Sequence, residues 1–229
     1  MKNKNKIWYY PFLVMTAILI LTTNCEKKED PSDTMTDRDG NVYTSVTIGT
    51  QVWMVENLKT TKYNDGTDIP LVTDDVEWVN LNTPGYCWYD NDAATYKNPY
   101  EALYNWYAVN TGKLCPTGWH VPTDAEWTTL TTYLGGTSVA GGKLKELGTT
   151  HWTTPNTGAT NETGFTALPG GLREVDGLFF YFGNEGFWWN SPEKSATDAW
   201  YHTLYFNYNF VYSLNLDKRY GLSVRCLKN

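Results

Sequence analysis

The chain has 229 residues, of which 16% are aromatic and 19% are charged, with a formal net charge of −7. This length accommodates a leader and one domain of about 190 residues with a real hydrophobic core. Because its net charge is negative, the chain lacks the positively charged surface that binds nucleic-acid phosphates, so we expect no nucleic-acid partner. The aromatic content suits a loop-rich domain packed on large rings, each burying roughly 150–250 Å².

Residues 1–25 are typical of a bacterial secretion signal. Lysines precede an apolar run, Ile7–Leu21, that is shorter than the roughly 20 residues a membrane span needs. The run ends in Leu-Thr-Thr-Asn-Cys, which resembles a lipoprotein box with Asn24 as a looser choice before the cysteine. We therefore expect lipidation of Cys25, with ordinary cleavage as the alternative. Two acyl chains would anchor the protein stably to a membrane.

Residues 26–36 are polar and are predicted to form a flexible linker. The charged run at 26–30 resembles the surface-export tags of Bacteroidetes lipoproteins, with a plain solvated tether as the alternative. We accordingly expect anchoring to the outer membrane and display on its outer face. A single domain is predicted over residues 37–229.

Local patterns predict short elements in the first half of this domain. Alternation and turn residues indicate a hairpin of Val42–Ile48 with Gln51–Val55. Residues 67–99 are expected to be mostly loop, with Trp78 and Trp88 inserted into the core. The predicted helices cover residues 100–109, 124–134 and 140–147.

The helix at 124–134 carries the clearest local signals. Thr123 is predicted to be its N-cap, with Glu126 as the capping-box partner. Apolar residues at i, i+3 and i+7 then mark one buried face, at Trp127, Leu130 and Leu134. Gly135 stands where a C-cap is expected.

After Gly148 the signals favour strands, at residues 178–182, 186–190, 200–207, 209–216 and 221–227. On the strand at 200–207, the side chains of Tyr201, Thr203 and Tyr205 would share one face. The predicted class is therefore α+β, with short helices in the first half and a twisted antiparallel sheet in the second.

Six segments, in order along the chain, resemble one bacterial domain family. They are QVWMVENLKTTKYNDG (51–66), YCWYDND (86–92), ALYNWYAV (102–109), GKLCPTGWHVPTDAEW (112–127), GFTALPGGLR (164–173) and YGLSVRC (220–226). The family is the Fibrobacter succinogenes major paralogous domain. WHVPTDAEW is also similar to the RLPTEAEWE-type segment of formylglycine-generating enzymes, whose fold is a C-type-lectin-like variant. The resemblance implies that fold, a cell-surface setting and ligand binding, and it transfers no established activity.

The remaining cysteines would lie in an oxidising compartment. With Cys25 acylated, Cys87, Cys115 and Cys226 are left, an odd number that leaves one unpaired or paired between molecules. We favour Cys115–Cys226, whose place resembles the long-range disulfide of lectin-like folds. Pairings of Cys87 with Cys115 or with Cys226 stay open.

No sequence feature indicates an enzyme. Formylglycine-generating enzymes hold copper through two cysteines that precede a closing Gly-Phe-Arg-Cys. Residues 221–226 resemble that closing element, but residues 200–208 contain no cysteine, and Tyr and Asn cannot build a soft-metal site. The isolated His120, His151 and His202 are expected to be packed or surface residues. We find no nucleophile elbow, HExxH or P-loop. A hydrolase with paired carboxylates is an alternative that a pocket with a perturbed carboxylate would favour.

Two groups are candidates for ligand binding. Asp90-Asn91-Asp92 offers oxygen ligands of the type that Ca²⁺ favours, although the interpretation we favour is an Asx-rich turn before the predicted helix at 100. No cofactor other than Ca²⁺ is indicated, and the motifs of a calcium-bridged sugar site are missing. The second group is aromatic and polar, and its candidates are Trp188, Trp189, Asn190, Tyr201 and Tyr205.

The aromatic group suits recognition because exposed Trp and Tyr rings stack on sugars and dominate protein hot spots. Adjacent Trp188 and Trp189 cannot both point inward on a regular strand, so we expect one to face solvent or a groove. For any one of these rings we nevertheless favour a place in the core, since the domain has few aliphatic residues with which to fill it. Flanking Asn184, Glu185 and Glu193 would supply polar contacts. The expected function is non-catalytic recognition of a polysaccharide or a surface protein, with a structural or adhesive protein as the alternative.

Overall fold

A computed structural model describes Met1 and residues 34–229. The predicted leader beyond Met1, the lipidation site Cys25 and linker residues 26–33 lie outside the described residues. Met35 and Thr36, predicted to end the linker, instead form a strand that pairs with Tyr43 and Val42. The ordered domain therefore begins before Asp37. Within the described residues, no helix is long and apolar enough to cross a membrane.

The described chain is a mixed α/β structure with short helices and several small antiparallel sheets. Its helices are α1 (Asp75–Val79), α2 (Ala93–Tyr96), α3 (Trp106–Val109), α4 (Asp124–Tyr133) and α5 (Thr137–Leu144), with a 3-10 helix at Tyr89–Asn91. Its strands are β1 (Met35–Thr36), β2 (Val42–Tyr43), β3 (Ser45–Ile48), β4 (Gln51–Met54), β5 (Tyr86–Cys87), β6 (Leu103–Tyr104), β7 (Trp119–His120), β8 (Leu172–Arg173), β9 (Phe179–Phe180), β10 (Glu185–Glu193), β11 (Asp198–Tyr205), β12 (Tyr212–Asp217) and β13 (Leu227–Lys228).

The beginning and the end of the domain meet in one sheet. Its strand order is β3-β4-β13-β7, and it contains the predicted hairpin, β3 with β4. A second sheet, β10-β11-β12, lies in the second half, and the remaining strands pair two by two. The disulfide Cys115–Cys226 is confirmed and links residues 111 apart in the chain, while Cys87 is free and buried. The disulfide therefore ties the segment before α4 to the end of the chain.

The predicted start of α4 is confirmed. The Thr123 Oγ1 accepts from the Glu126 N–H at 3.3 Å, and the Glu126 carboxylate accepts from the Thr123 N–H at 2.7 Å. Trp127, Leu130 and Leu134 are buried, as the periodicity predicts. Gly135 follows the helix with a φ of 99°, the left-handed region that glycine adopts without strain.

Two other predicted helices are displaced. Residues 100–109 are not one helix, because Leu103–Tyr104 pairs with β5 and the helix begins only after Asn105, whose side chain accepts from the Ala108 N–H at 3.1 Å. The helix predicted at residues 140–147 corresponds to α5, which covers Thr137–Leu144 instead. It ends there because Lys145 leaves the helix extended and forms a bridge with Ala167.

Strand β10 separates two hydrophobic clusters. Trp189 packs with Tyr104 and Trp106 in one cluster, and Trp188 packs with Trp127 and Phe165 in the other. Trp78 is fully buried in a third, smaller cluster. Trp78 and Trp88 are both buried, as predicted. The core is thus built largely from rings, and β10 is covered on both of its faces.

Candidate functional site

The sheet β10-β11-β12 brings the predicted aromatic residues into register. Thr203 of β11 lies opposite Phe187 of β10 on one side and opposite Tyr212 of β12 on the other. Tyr205 lies opposite Glu185. Because directly opposed residues of antiparallel strands point to the same face, these side chains share the face that Tyr201, Thr203 and Tyr205 were predicted to form.

The expectation that Trp188 or Trp189 faces solvent is wrong. The two residues are 1% and 0% exposed. The Trp189 Nε1 donates to the Tyr104 carbonyl at 2.8 Å, and the Trp188 Nε1 donates to the Asn57 Oδ1 at 2.8 Å. They point in opposite directions, as residues of a strand should, but each direction leads into a hydrophobic cluster. Neither ring is available for stacking on a ligand from solvent.

Two other predicted contact residues are also buried. Asn190 is fully buried, and its Oδ1 lies 2.9 Å from the Nδ1 of His202. His202 in turn stacks on Trp127 with a centroid distance of 4.5 Å, and burial lowers its pKa to about 4. Tyr201 is 6% exposed. Of the five predicted contacts, Tyr205 is therefore the one with substantial surface, being half-buried.

Tyr205 belongs to a group of accessible rings that we call the tyrosine face, namely Tyr181, Tyr205, Tyr208, Phe210 and Tyr212. The Tyr205 ring contacts the Tyr208 and Tyr212 rings edge to face at 6.1 and 5.3 Å, and Phe210 stacks on Tyr212 at 5.7 Å. Tyr181 packs at 5.9 Å on Phe187, whose side chain lies on the same side of the sheet. Tyr181, Tyr208 and Phe210 are exposed, and Tyr205 and Tyr212 are half-buried.

Glu185 places a carboxyl group beside these rings. Within residues 34–229, no hydrogen bond or ion pair reaches that carboxyl, and burial raises its pKa to about 7. It interacts electrostatically with Tyr201 and Tyr205, raising the pKa of each phenol in addition to the effect of burial. The tyrosine face therefore carries a hydrogen-bonding group that the protein itself leaves unoccupied.

Lys145 holds the backbone that presents Tyr205 and Tyr208. Its Nζ donates to the carbonyl oxygens of both residues at 2.9 Å and to that of Thr157 at 3.0 Å. The residue is fully buried. One buried ammonium group thus holds the backbone of the turn between β11 and β12 through hydrogen bonds to two of its carbonyl oxygens.

The Asp90-Asn91-Asp92 segment lies in and after the 3-10 helix that precedes α2. Asp92 caps α2, with its Oδ1 accepting from the Ala94 and Thr95 N–H groups at 3.0 and 3.1 Å. The Asn91 Nδ2 donates to the Thr73 carbonyl at 2.9 Å. Across the described part of the chain, no group of three or more His, Cys, Asp or Glu side chains is placed to hold a metal ion. Asp92 thus acts as a helix cap, while the Asn91 Oδ1 is buried and has no hydrogen-bond partner among the described residues.

Comparison with known proteins supplies a family. The Fibrobacter succinogenes major domain matches residues 46–228, most of the chain. The chain belongs to this family. No curated protein and no solved structure matches it.

This Fibrobacter succinogenes major domain also contains a cavity that sequence reasoning did not single out. Its volume is about 270 Å³, and it shares no lining residue with the tyrosine face. Its charged and titratable lining residues are Glu56, Glu101, Glu146, His151 and Arg225. These residues are spread over 170 positions of the chain, so no local spacing could reveal them. The left-handed backbone at Glu101, with a φ of 68°, is likewise invisible in the sequence.

Proposed function

We propose that this domain is a non-catalytic recognition module of the cell envelope that binds polysaccharide on its tyrosine face. The observation that carries the proposal is the unoccupied, half-buried carboxyl of Glu185 among accessible tyrosine rings. Rings of this kind stack on the apolar faces of sugars, and a few placed polar groups then fix orientation. The Glu185 carboxylate would accept hydrogen bonds from sugar hydroxyls, and the Tyr205 and Tyr212 hydroxyls would add polar contacts.

The setting of the domain is also part of the proposal. We infer a lipid anchor at Cys25, attachment to the outer membrane and display on its outer face, on the strength of the apolar run and the cysteine that ends it. We further infer a C-type-lectin-like variant fold. Supporting this inference are the sheet that joins β3 and β4 to β13, and the long-range disulfide Cys115–Cys226.

The test is a binding screen of residues 26–229 against soluble glycans and insoluble polysaccharides, with Ca²⁺ and with chelator. Tyr208→Ala and Glu185→Gln should each weaken binding at least about tenfold, the order expected for a ring or polar contact worth about 1.4 kcal/mol. Tyr133→Ala is the matched control, because Tyr133 is exposed on α4 and lies outside the tyrosine face. Its binding and melting temperature should match those of the unaltered protein.

Each other outcome points elsewhere. Binding that is unaffected by Tyr208→Ala and Glu185→Gln would refute the tyrosine face as the site. Chelator-sensitive binding would support a metal-dependent site near Asp90–Asp92. Absence of binding to any glycan would favour a surface-protein partner or an adhesive role.

A further inference from the structure

The cavity beside Glu101 contains one carboxyl group that the protein does not use. Glu101 is 4% exposed, and among the described residues its carboxyl has no hydrogen-bond or ion-pair partner. The residue lines the cavity of about 270 Å³, so the group is both buried and open to a small occupant. A carboxyl group that has no protein partner and opens into a cavity can accept hydrogen bonds from a molecule that enters the cavity.

The other charged groups of the cavity are already engaged. The Glu56 carboxylate accepts from the Thr44 N–H at 2.8 Å and from the Thr44 hydroxyl at 2.9 Å. The Glu146 carboxylate lies 2.8 Å from the Nδ1 of His151. Among the charged groups that line the cavity, Glu101 is thus the one that no side-chain or backbone group of the described residues engages.

Arg225 does not neutralise Glu101 directly. Its Nε and Nη2 donate to the Asn57 Oδ1 at 3.2 and 2.9 Å, and its Nη1 donates to the Phe165 carbonyl. The guanidinium is therefore directed to a side-chain amide and a backbone oxygen. Carboxyl groups outnumber cationic groups in the cavity lining. The ligand that would complement this lining is therefore a cation that carries N–H donors.

We propose that this cavity binds a small primary ammonium ion, which donates N–H hydrogen bonds to the Glu101 carboxylate. A metal ion is a poorer fit, because no three His, Cys, Asp or Glu side chains in the described residues are placed to coordinate one. Leu168 and Val55 provide apolar wall for the carbon skeleton of such an amine. The site is independent of the polysaccharide proposal, since the two share no residue.

Binding would be linked to a proton. Burial raises the pKa of Glu101 to about 8, with Lys59 and Arg225 lowering it and Glu56 raising it. Tyr43, whose hydroxyl donates to Asp37, also interacts electrostatically with Glu101. The free protein therefore holds a neutral carboxyl at pH 7. Arrival of the ammonium ion releases that proton to solvent and forms a salt bridge in its place. Affinity should rise by up to about tenfold per pH unit below pH 8 and level off above it.

The test is calorimetric titration of residues 26–229 with n-butylammonium, whose amine stays protonated up to about pH 10 like that of lysine. We expect binding at pH 8, release of about one proton per ligand at pH 7, and at least tenfold weaker binding of n-butanol. Equal binding of the alcohol, or affinity that does not change between pH 6 and 8, would overturn the proposal.

Variants complete the experiment. Glu101→Gln keeps the shape of the protonated carboxyl and should abolish both the binding and its pH dependence, while Glu77→Gln, an exposed carboxylate on α1, should change neither. Unaltered binding by Glu101→Gln would refute the site. Tyr208→Ala should leave ammonium binding intact, which separates this site from the tyrosine face. D-glucosamine and Nα-acetyl-lysine, titrated in parallel, distinguish an amino sugar from a lysine-type amine as the source of the ammonium group.

Discussion

Replacing Lys145 with methionine should destabilise the domain strongly. The substitution preserves most of the aliphatic stem but removes the ammonium that donates to three backbone carbonyls at 2.9–3.0 Å. A hydrogen bond to a charged group contributes about 1.5–3 kcal/mol. Because Lys145 is fully buried, its removal leaves the three carbonyl oxygens without the ammonium donor that they share. Because the three bonds share one donor, their contributions are not additive. We expect a loss of about 3 kcal/mol in the free energy of unfolding, since a buried carbonyl left without its donor costs about 1–3 kcal/mol.

Chemical denaturation and thermal melting measure this loss. For a domain of this size the melting temperature should fall by about 2–4 °C for each kcal/mol. Lys143→Met, two residues earlier and at the end of α5, is the matched control, because Lys143 forms an exposed ion pair with Glu162 at 3.0 Å, worth about 0–1 kcal/mol. If Lys145→Met and Lys143→Met cost the same, the buried ammonium does not support the turn between β11 and β12. Lys145→Met should also weaken polysaccharide binding, since the carbonyls of Tyr205 and Tyr208 lose their common anchor.

Three further predictions concern stability and reactivity. Replacing both Cys115 and Cys226 with serine should cost about 4–5 kcal/mol in denaturant unfolding, because a loop of about a hundred residues is released in the unfolded chain; a loss below 1 kcal/mol would contradict this. Burial raises the pKa of Cys87 to about 12, so iodoacetamide should modify it only after denaturation, and rapid labelling of the native protein at pH 8 would disagree. Glu101 binds its proton more tightly when folded, so the free energy of unfolding should fall as pH rises from about 4.5 to 8, by up to roughly 1.4 kcal/mol per unit. Glu101→Gln should flatten that fall, and an unchanged pH profile would refute the assignment.

The parts of the fold that were predictable from sequence are those fixed by neighbouring residues. The α4 start follows from Thr123 and Glu126, three residues apart, whose reciprocal hydrogen bonds need no distant partner. The predicted helix over 100–109 failed for a tertiary reason. Leu103 and Tyr104 pair with β5 as a strand. The side chain of Asn105 then accepts a hydrogen bond from the Ala108 N–H, and a new helix starts there. Apolar spacing cannot distinguish a short helix from a strand and helix in succession.

Site prediction failed at Trp188 and Trp189 for a related reason. The rule that one of two adjacent strand residues faces solvent holds only when one face of the sheet is solvated. The uninterrupted run Phe187-Trp188-Trp189 is instead typical of a strand buried on both faces, which β10 is. Strand β12 is more accessible, since half-buried Tyr212 is followed by three exposed residues, 213–215. Apart from Tyr181, the accessible rings of the tyrosine face come from β11, β12 and the turn between them, and there the half-buried Tyr205 lies directly opposite the unoccupied carboxyl of Glu185. The recognition surface that we propose on this sheet accordingly depends on tyrosines, whose hydroxyls tolerate water, while the buried Trp188 and Trp189 pack β10 into the core.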